Sequence, residues 1–264
     1  MRQIARKKII TLLLLIVGSS CSARDFEDQT LQINVGPTFN FARYRLGCMP
    51  KIQGYLAGIH VDFAHGRPSK WYANAQFDGR WNAGYICSNN DEKLQIKDYR
   101  PELKVGYNFF FGEYESFVFT PAVGLGYYVL SAKLKPECVT RRYSNVNVPV
   151  GFDFNWRNDA NTFQAGLLAL YRIDARTRLK FKMASMDMCE KFTLCRSHGA
   201  HVEVPLTWFL TNDRRVNFLA KVVPFFDWNT FGKVAVKNSN NLMLDAPRLK
   251  QWYLGLHVDV GIQF

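Results

Sequence analysis

The chain has 264 residues, 15% of them aromatic, and a formal charge of +12. Its mean hydropathy is −0.17, and no stretch reaches the ~20 apolar residues that a membrane-spanning helix needs, which excludes a helical membrane protein. No low-complexity tract or Pro/Gly-rich linker divides it, so one domain is expected after the N-terminal leader.

That leader comes first in chain order. Arg2, Arg6, Lys7 and Lys8 precede the apolar run 9–17 and then small residues. A basic region, a short apolar region and a small-residue exit make residues 1–23 a secretory signal peptide. Cleavage after Ala23 is expected; the alternative is lipid attachment at Cys21, where Gly18 occupies a position that a lipobox fills with a larger aliphatic residue. The remaining domain, 24–264, keeps a charge of +8 once the four basic leader residues are gone.

Ten segments then alternate with period two, the signature of strands with unlike faces. They lie near 30–42, 53–63, 70–82, 97–109, 116–129, 145–156, 162–174, 201–209, 216–228 and 251–264. In the last, Leu254, Leu256, Val258, Val260, Ile262 and Phe264 alternate with Tyr253, Gly255, His257, Asp259, Gly261 and Gln263. Each segment matches the roughly 9–11 tilted residues of a bilayer-crossing strand. Connections alternate between short, turn-rich ones at 64–69, 110–115, 157–161 and 210–215 and long ones at 43–52, 83–96, 130–144, 175–200 and 229–250. All six tryptophans, Trp71, Trp81, Trp156, Trp208, Trp228 and Trp252, fall on the apolar parity at strand ends, as interfacial girdles require.

With its leader, its alternating strands and its final strand ending on Phe264, the chain resembles the bacterial outer-membrane β-barrel proteins. The resemblance covers everything after the leader. It implies an all-β, transmembrane, antiparallel up-and-down barrel in the bacterial outer membrane, with Phe264 read by the barrel-assembly machinery. Ten strands are expected. Eight is the alternative, because 201–209 is short and contains Pro205. The class includes adhesins and surface proteases, so architecture alone selects no function.

Parity sends Arg80, Arg100, Lys104, Arg172 and Lys221 into the lumen, against Asp62, Asp78, Glu102, Asp153, Asp227 and Asp259, with Glu203, His60 and His257 among them. Narrow barrels are filled by side chains, and buried charges need partners, so a cross-paired plug is expected rather than a narrow porin or solute channel. An acid–base reading of His60, Asp62, Asp78, His257 and Asp259 makes a surface hydrolase the weaker alternative. No nucleophile motif supports it, and no catalytic residue, cofactor or metal is expected.

The five long connections, counted over 43–53, 83–97, 130–144, 174–200 and 229–250, hold 19 Lys/Arg against 7 Asp/Glu. A positive field at the outer end suits anions: lipopolysaccharide phosphates, acidic polysaccharide or a host surface, and not nucleic acid. Arg176, Arg178, Lys180 and Lys182 continue the inward parity of the seventh strand and form the candidate anion-binding ladder. Cys48, Cys87, Cys138, Cys189 and Cys195 all fall in the long connections, where secretion favours disulfides. Five is odd; Cys189–Cys195 is the expected local pair and the other three compete. A zinc site of Cys189, Cys195, His198 and His201 is the lesser reading. The function expected is a non-enzymatic barrel presenting a basic, disulfide-braced crown for surface interaction, adhesion or envelope structure.

Overall fold

The computed structural model describes residues 29–46, 52–68, 70–82, 86–87, 93–112, 116–135, 139–158, 162–183, 188–194, 197–211, 216–232, 234–237, 243–246 and 248–264. The leader, with both of its processing routes, lies outside them. Ten strands form the wall: β1 (Gln29–Leu46), β2 (Ile52–Pro68), β3 (Trp71–Trp81), β4 (Lys93–Tyr107), β5 (Phe117–Lys135), β6 (Val139–Arg157), β7 (Phe163–Met183), β8 (His198–Glu203 and Leu206–Phe209), β9 (Asn217–Phe231) and β10 (Leu249–Gln263). Each pairs antiparallel with its neighbours in sequence, and β1 pairs with β10 from Gln32↔Gln263 to Leu46↔Leu249. Phe264 extends the seam by exchanging backbone hydrogen bonds with Leu31, at 2.7 and 3.0 Å. A closed ladder leaves no edge, and lipid permits no unpaired backbone.

Alternation fixes the faces. On β1, Val35 and Phe39 are exposed outward while Asn34, Thr38 and Asn40 are buried in the lumen. On β10, Leu254 and Val260 are 59% and 64% exposed, yet the intervening His257 and Asp259 are almost wholly buried. Apolar outside and polar inside inverts the soluble pattern; a continuous apolar belt is stable only against hydrocarbon. All six tryptophans keep the outward parity. Trp71, Trp81, Trp156 and Trp208 are exposed, whereas Trp228 and Trp252 are half-covered by His198 and Arg43.

The strand with Pro205 is present. It runs in two pieces: the Gly166 amide donates to the Pro205 carbonyl (2.8 Å), and the Val204 amide donates to the Pro224 carbonyl (3.0 Å). The proline breaks the ladder locally without costing the barrel its eighth strand, so the eight-strand alternative does not form.

Three of the expected long loops are corrected. Residues 130–144 are not a loop, because β5 and β6 continue as a hairpin to Leu134↔Val139. Likewise β7 runs on to Met183 and pairs with a ribbon at Met188–Leu194. A further ribbon pairs Val234–Lys237 with Met243–Ala246. The wall therefore rises well past the apolar belt at the end opposite the chain termini, the extracellular end in the outer-membrane pattern.

One irregularity alters a face. Along β6 and β7 the register passes from Val146↔Arg176 to Asn147↔Asp174, leaving Ala175 as an extra residue. A single-residue bulge shifts every side chain beyond it to the opposite face.

Candidate functional site

The lumen is built in three layers. At the end bearing the termini, a cavity of about 130 Å³ is lined by polar side chains including Gln32, Asn74, Asp153, Gln164, Thr207 and Lys221. Above it lies the charge layer. Asp227 on β9 receives Arg100 from β4 across the barrel, with Arg172 Nη1 at 3.2 Å and Arg80 Nη1 at 3.8 Å. Arg172 also donates through Nε to Glu102 (3.0 Å), which has Lys104 at 3.7 Å. Lys104 donates to Gln76 (3.1 Å), Gln76 donates to Glu203 (3.3 Å), and His201 lies 2.6 Å from the same carboxylate. On the cavity side, Asp62 takes Asn34 (2.9 Å), Asn74 and Lys221 (3.4 Å). Arg80 Nη2 lies 3.2 Å from Asp78, whose other oxygen is 2.8 Å from His60 Nδ1. The Asp153 and Asp259 carboxylates are held more loosely: Asp153 Oδ1 and both oxygens of Asp259 have no hydrogen-bond partner, and Asp259 Oδ2 lies 3.8 Å from His60 Nε2.

The third layer is apolar. Ala42, Leu56, Ile96, Leu130, Phe231 and Leu249 are buried together inside the upper wall. Tyrosines line its floor: the Tyr253 hydroxyl is 3.2 Å from that of Tyr44 and 3.1 Å from that of Tyr128, to which Gln251 donates at 2.7 Å. Arg80 packs under Tyr253 and Phe225, and Arg100 under Tyr128, so guanidinium faces join the charge layer to the aromatic one. Higher still, Tyr143 packs on Phe231 at 5.3 Å, and burial pushes its hydroxyl up to about 12. This layer covers the buried His–carboxylate pairs His60–Asp78 and His201–Glu203 from the extracellular side.

The ladder faces the other way from the sequence expectation. Below the bulge Arg172 is buried; above it Thr177 and Leu179 are buried, and Arg176, Arg178, Lys180 and Lys182 are exposed on the outer wall. They are not a lumen feature. By register Arg142 of β6 lies beside Lys180 and Ser144 beside Arg178; Ser131 of β5 then links Arg142 to Lys97 of β4. Lys97 and Arg142 are exposed on this same face, and Lys133 stands opposite Thr140. Among the described residues, no carboxylate shares that face. On the seam side Arg45 and Lys250 are cross-strand partners, and Arg43 lies 5.8 Å from the Trp252 ring. A basic band thus borders the apolar belt just where hydrocarbon gives way to headgroups.

The disulfide expectation falls outside the described residues: Cys48, Cys138 and Cys195 are not among them, and of Cys87 and Cys189 only the backbone is. The lesser zinc reading is corrected for its histidines. His198 and His201 stand on opposite faces, the first packed on Tyr171 and Trp228, the second in the lumen against Glu203.

No protein-family model and no curated protein sequence matches the chain. Solved structures do. The outer membrane protease OmpT from Escherichia coli aligns with a TM-score of 0.54 at 10% identity, covering 91% of this chain and 97% of that one. This is the fold of a bacterial outer-membrane β-barrel. More distant is the translocator domain of the autotransporter NalP from Neisseria meningitidis, at TM-score 0.43 and 10% identity over 97% and 96% of the two chains. A major outer membrane protein from Thermus thermophilus aligns at TM-score 0.38 and 10% identity, over 89% and 99%. The barrel belongs in the outer membrane, where its apolar belt has a solvent.

Parity did not extend to Asp98, Tyr44, Tyr128 or His201. Asp98, wholly buried, accepts from Tyr128 at 3.4 Å. Their signal was in the sequence: Asp98, Tyr128 and His201 keep the inward alternation within 97–109, 116–129 and 201–209, and Tyr44 continues that of 30–42.

Proposed function

We propose that this barrel is a non-conducting envelope protein that holds phosphate-bearing glycolipid of the outer leaflet against its outer wall. The observation that carries the reading is the Ala175 bulge, which turns Arg176, Arg178, Lys180 and Lys182 outward at the head of the apolar belt. Cations there meet lipid phosphates edge-on. Arg offers planar, two-pronged recognition of phosphate and Lys a compact point charge. The apolar third layer supports the non-conducting part of the reading, since it lies across the extracellular half of the lumen.

The test is binding of lipopolysaccharide to refolded protein, against the same lipid stripped of its phosphates. The combined variant Arg176→Gln, Arg178→Gln, Lys180→Gln, Lys182→Gln should bind the intact lipid at least about tenfold more weakly and with a shallower salt dependence. Equal binding of intact and dephosphorylated lipid would sink the proposal. Binding of soluble sulfated polysaccharide in preference to the lipid would make the wall an adhesive surface instead.

One observation favours a second reading, a narrow solute channel: the polar cavity reaches halfway up the lumen. Planar-bilayer recording separates the two. Stable single-channel steps would establish the channel; their absence from inserted protein is the expected result.

A further inference from the structure

At the roof of the cavity stand two histidines and two carboxylates that the charge layer leaves incompletely used. His60 on β2 and His257 on β10 stack face to face, with centroids 4.2 Å apart. Phe225 of β9 stacks on His257 at 4.4 Å and 13°, on a backbone cleared for it: a Cβ at Gly255 would sit 2.5 Å from the Phe225 ring. The imidazole of His257 is thus held mainly by ring packing, with Asp78 Oδ1 3.9 Å from its Nε2. It is wholly buried, and neither of its nitrogens has a hydrogen-bond partner. Asp259, 1% exposed, is in the same state at both oxygens. Thr38, opposite His257 in the seam, and Asn40, opposite Gly255, also carry buried polar atoms without partners. Buried polar groups normally find partners, so a bound ligand or ordered water belongs at this cluster.

The charges point the same way. In the described lumen nine carboxylates, Asp62, Asp78, Asp98, Glu102, Asp153, Asp174, Glu203, Asp227 and Asp259, face five buried Lys/Arg, namely Arg80, Arg100, Lys104, Arg172 and Lys221, with Arg157 at the cavity mouth and Arg141 on the inward parity of β6. A buried acidic excess calls for a cation.

We infer that His60, Asp78 and His257 bind a divalent transition-metal ion of the zinc class, with Asp259 orienting His60 from behind. One ligand atom from each of the three lies within 4.8 Å of the others. Around an ion with bonds of about 2.0–2.1 Å, tetrahedral ligand atoms stand about 3.4 Å apart. Asp78 Oδ1 is already 2.8 Å from His60 Nδ1 and 3.9 Å from His257 Nε2. Closing the set requires one imidazole to tilt out of the His60–His257 stack, so that both ring planes contain the ion. Arg80 engages the other oxygen, Asp78 Oδ2, leaving Oδ1 for the ion. When Nδ1 of His60 binds, its Nε2–H points to Asp259 Oδ2, now 3.8 Å away, a carboxylate–histidine–metal relay. His60 and Asp62 also line the cavity, which supplies an entry path and room for a water as fourth ligand. Imidazole and carboxylate donors suit zinc and its neighbours rather than calcium or magnesium. The ligands come from β2, β3 and β10, on both sides of β1, so the ion fastens the strands about the closing seam.

The experiment is zinc and cobalt titration of the refolded chain 24–264 after chelation, with folding checked by the gel shift between heated and unheated barrel. One equivalent of Zn²⁺ is expected, competing with Co²⁺ whose visible spectrum is that of nitrogen and oxygen ligands. His257→Gln should abolish stoichiometric binding, Asp259→Asn should weaken it about 10–100-fold, and His201→Gln, at the separate Glu203 pair, should leave it intact. Folded wild-type protein that binds no stoichiometric metal overturns the inference. So does a sulfur-to-cobalt charge-transfer band, which would place the ion on the cysteines. If His257→Gln does not fold, the wild-type cobalt spectrum and Asp259→Asn still decide.

Discussion

The same strands obey opposite rules at their two ends. Within the apolar belt the wall is oily outside and polar inside: Leu103 and Tyr99 face out from β4 while Glu102 and Arg100 face in. A few residues further, Ile96 is buried and Lys97 is exposed on the same strand, as in a soluble sheet. Across β1 the change runs from Phe39 outside and Asn40 inside to Arg45 outside and Tyr44 inside. On most strands only residue identity changes and parity is kept. On β7 the bulge at Ala175 changes parity instead, because arginine and lysine occupy even positions from Arg172 to Lys182. Hydrocarbon and water ask for opposite faces, and the strand meets both demands with one inserted residue.

The largest effect expected from disturbing this arrangement lies in the charge layer. Asp227→Ala leaves Arg80, Arg100 and Arg172 without their shared carboxylate and should cost about 3–5 kcal/mol, read from urea unfolding in detergent or vesicles. Next comes the upper core. Leu179→Ala should cost about 2–5 kcal/mol, because it opens a cavity in a packed layer. A comparable loss arises from the opposite error in the belt: Val123→Arg puts a charge in hydrocarbon and should cost about 2–4 kcal/mol. Arg178→Val on the upper outer wall should change stability by no more than about 0.5 kcal/mol while weakening glycolipid binding. If Leu179→Ala proves as mild as Arg178→Val, the upper wall has no core and the comparison fails.

Much of the fold was legible because lipid imposes a single simple rule. Trp71, Trp208 and Val260 announce their outward faces by parity alone, and ten such segments suffice to count the strands. The rule lapses where the membrane ends. Residues 130–144 read as a loop because a strand with Tyr143 inside and Arg142 outside breaks the lipid pattern, although it is good soluble strand; 176–182 read as a continuation of the seventh strand, but with its two faces exchanged. The bulge leaves no mark in Arg-Ile-Asp-Ala-Arg, whose alternation runs on unbroken through it. Cross-lumen partners were also beyond reach: Arg100 and Asp227 are 127 residues apart, and parity says which residues share the lumen but not which of them meet. His60 and His257 were visible as inward histidines, but their stacking depends on the seam register.

The most direct measurement is thiol labelling on either side of the bulge. In a chain with Cys48, Cys87, Cys138, Cys189 and Cys195 replaced by serine, Arg178→Cys and Leu179→Cys are exposed in turn to a membrane-impermeant reagent on intact cells. Rapid modification at 178 and protection at 179 is the expected result. Protection at 178 with modification at 179 would return the ladder to the lumen and contradict the account.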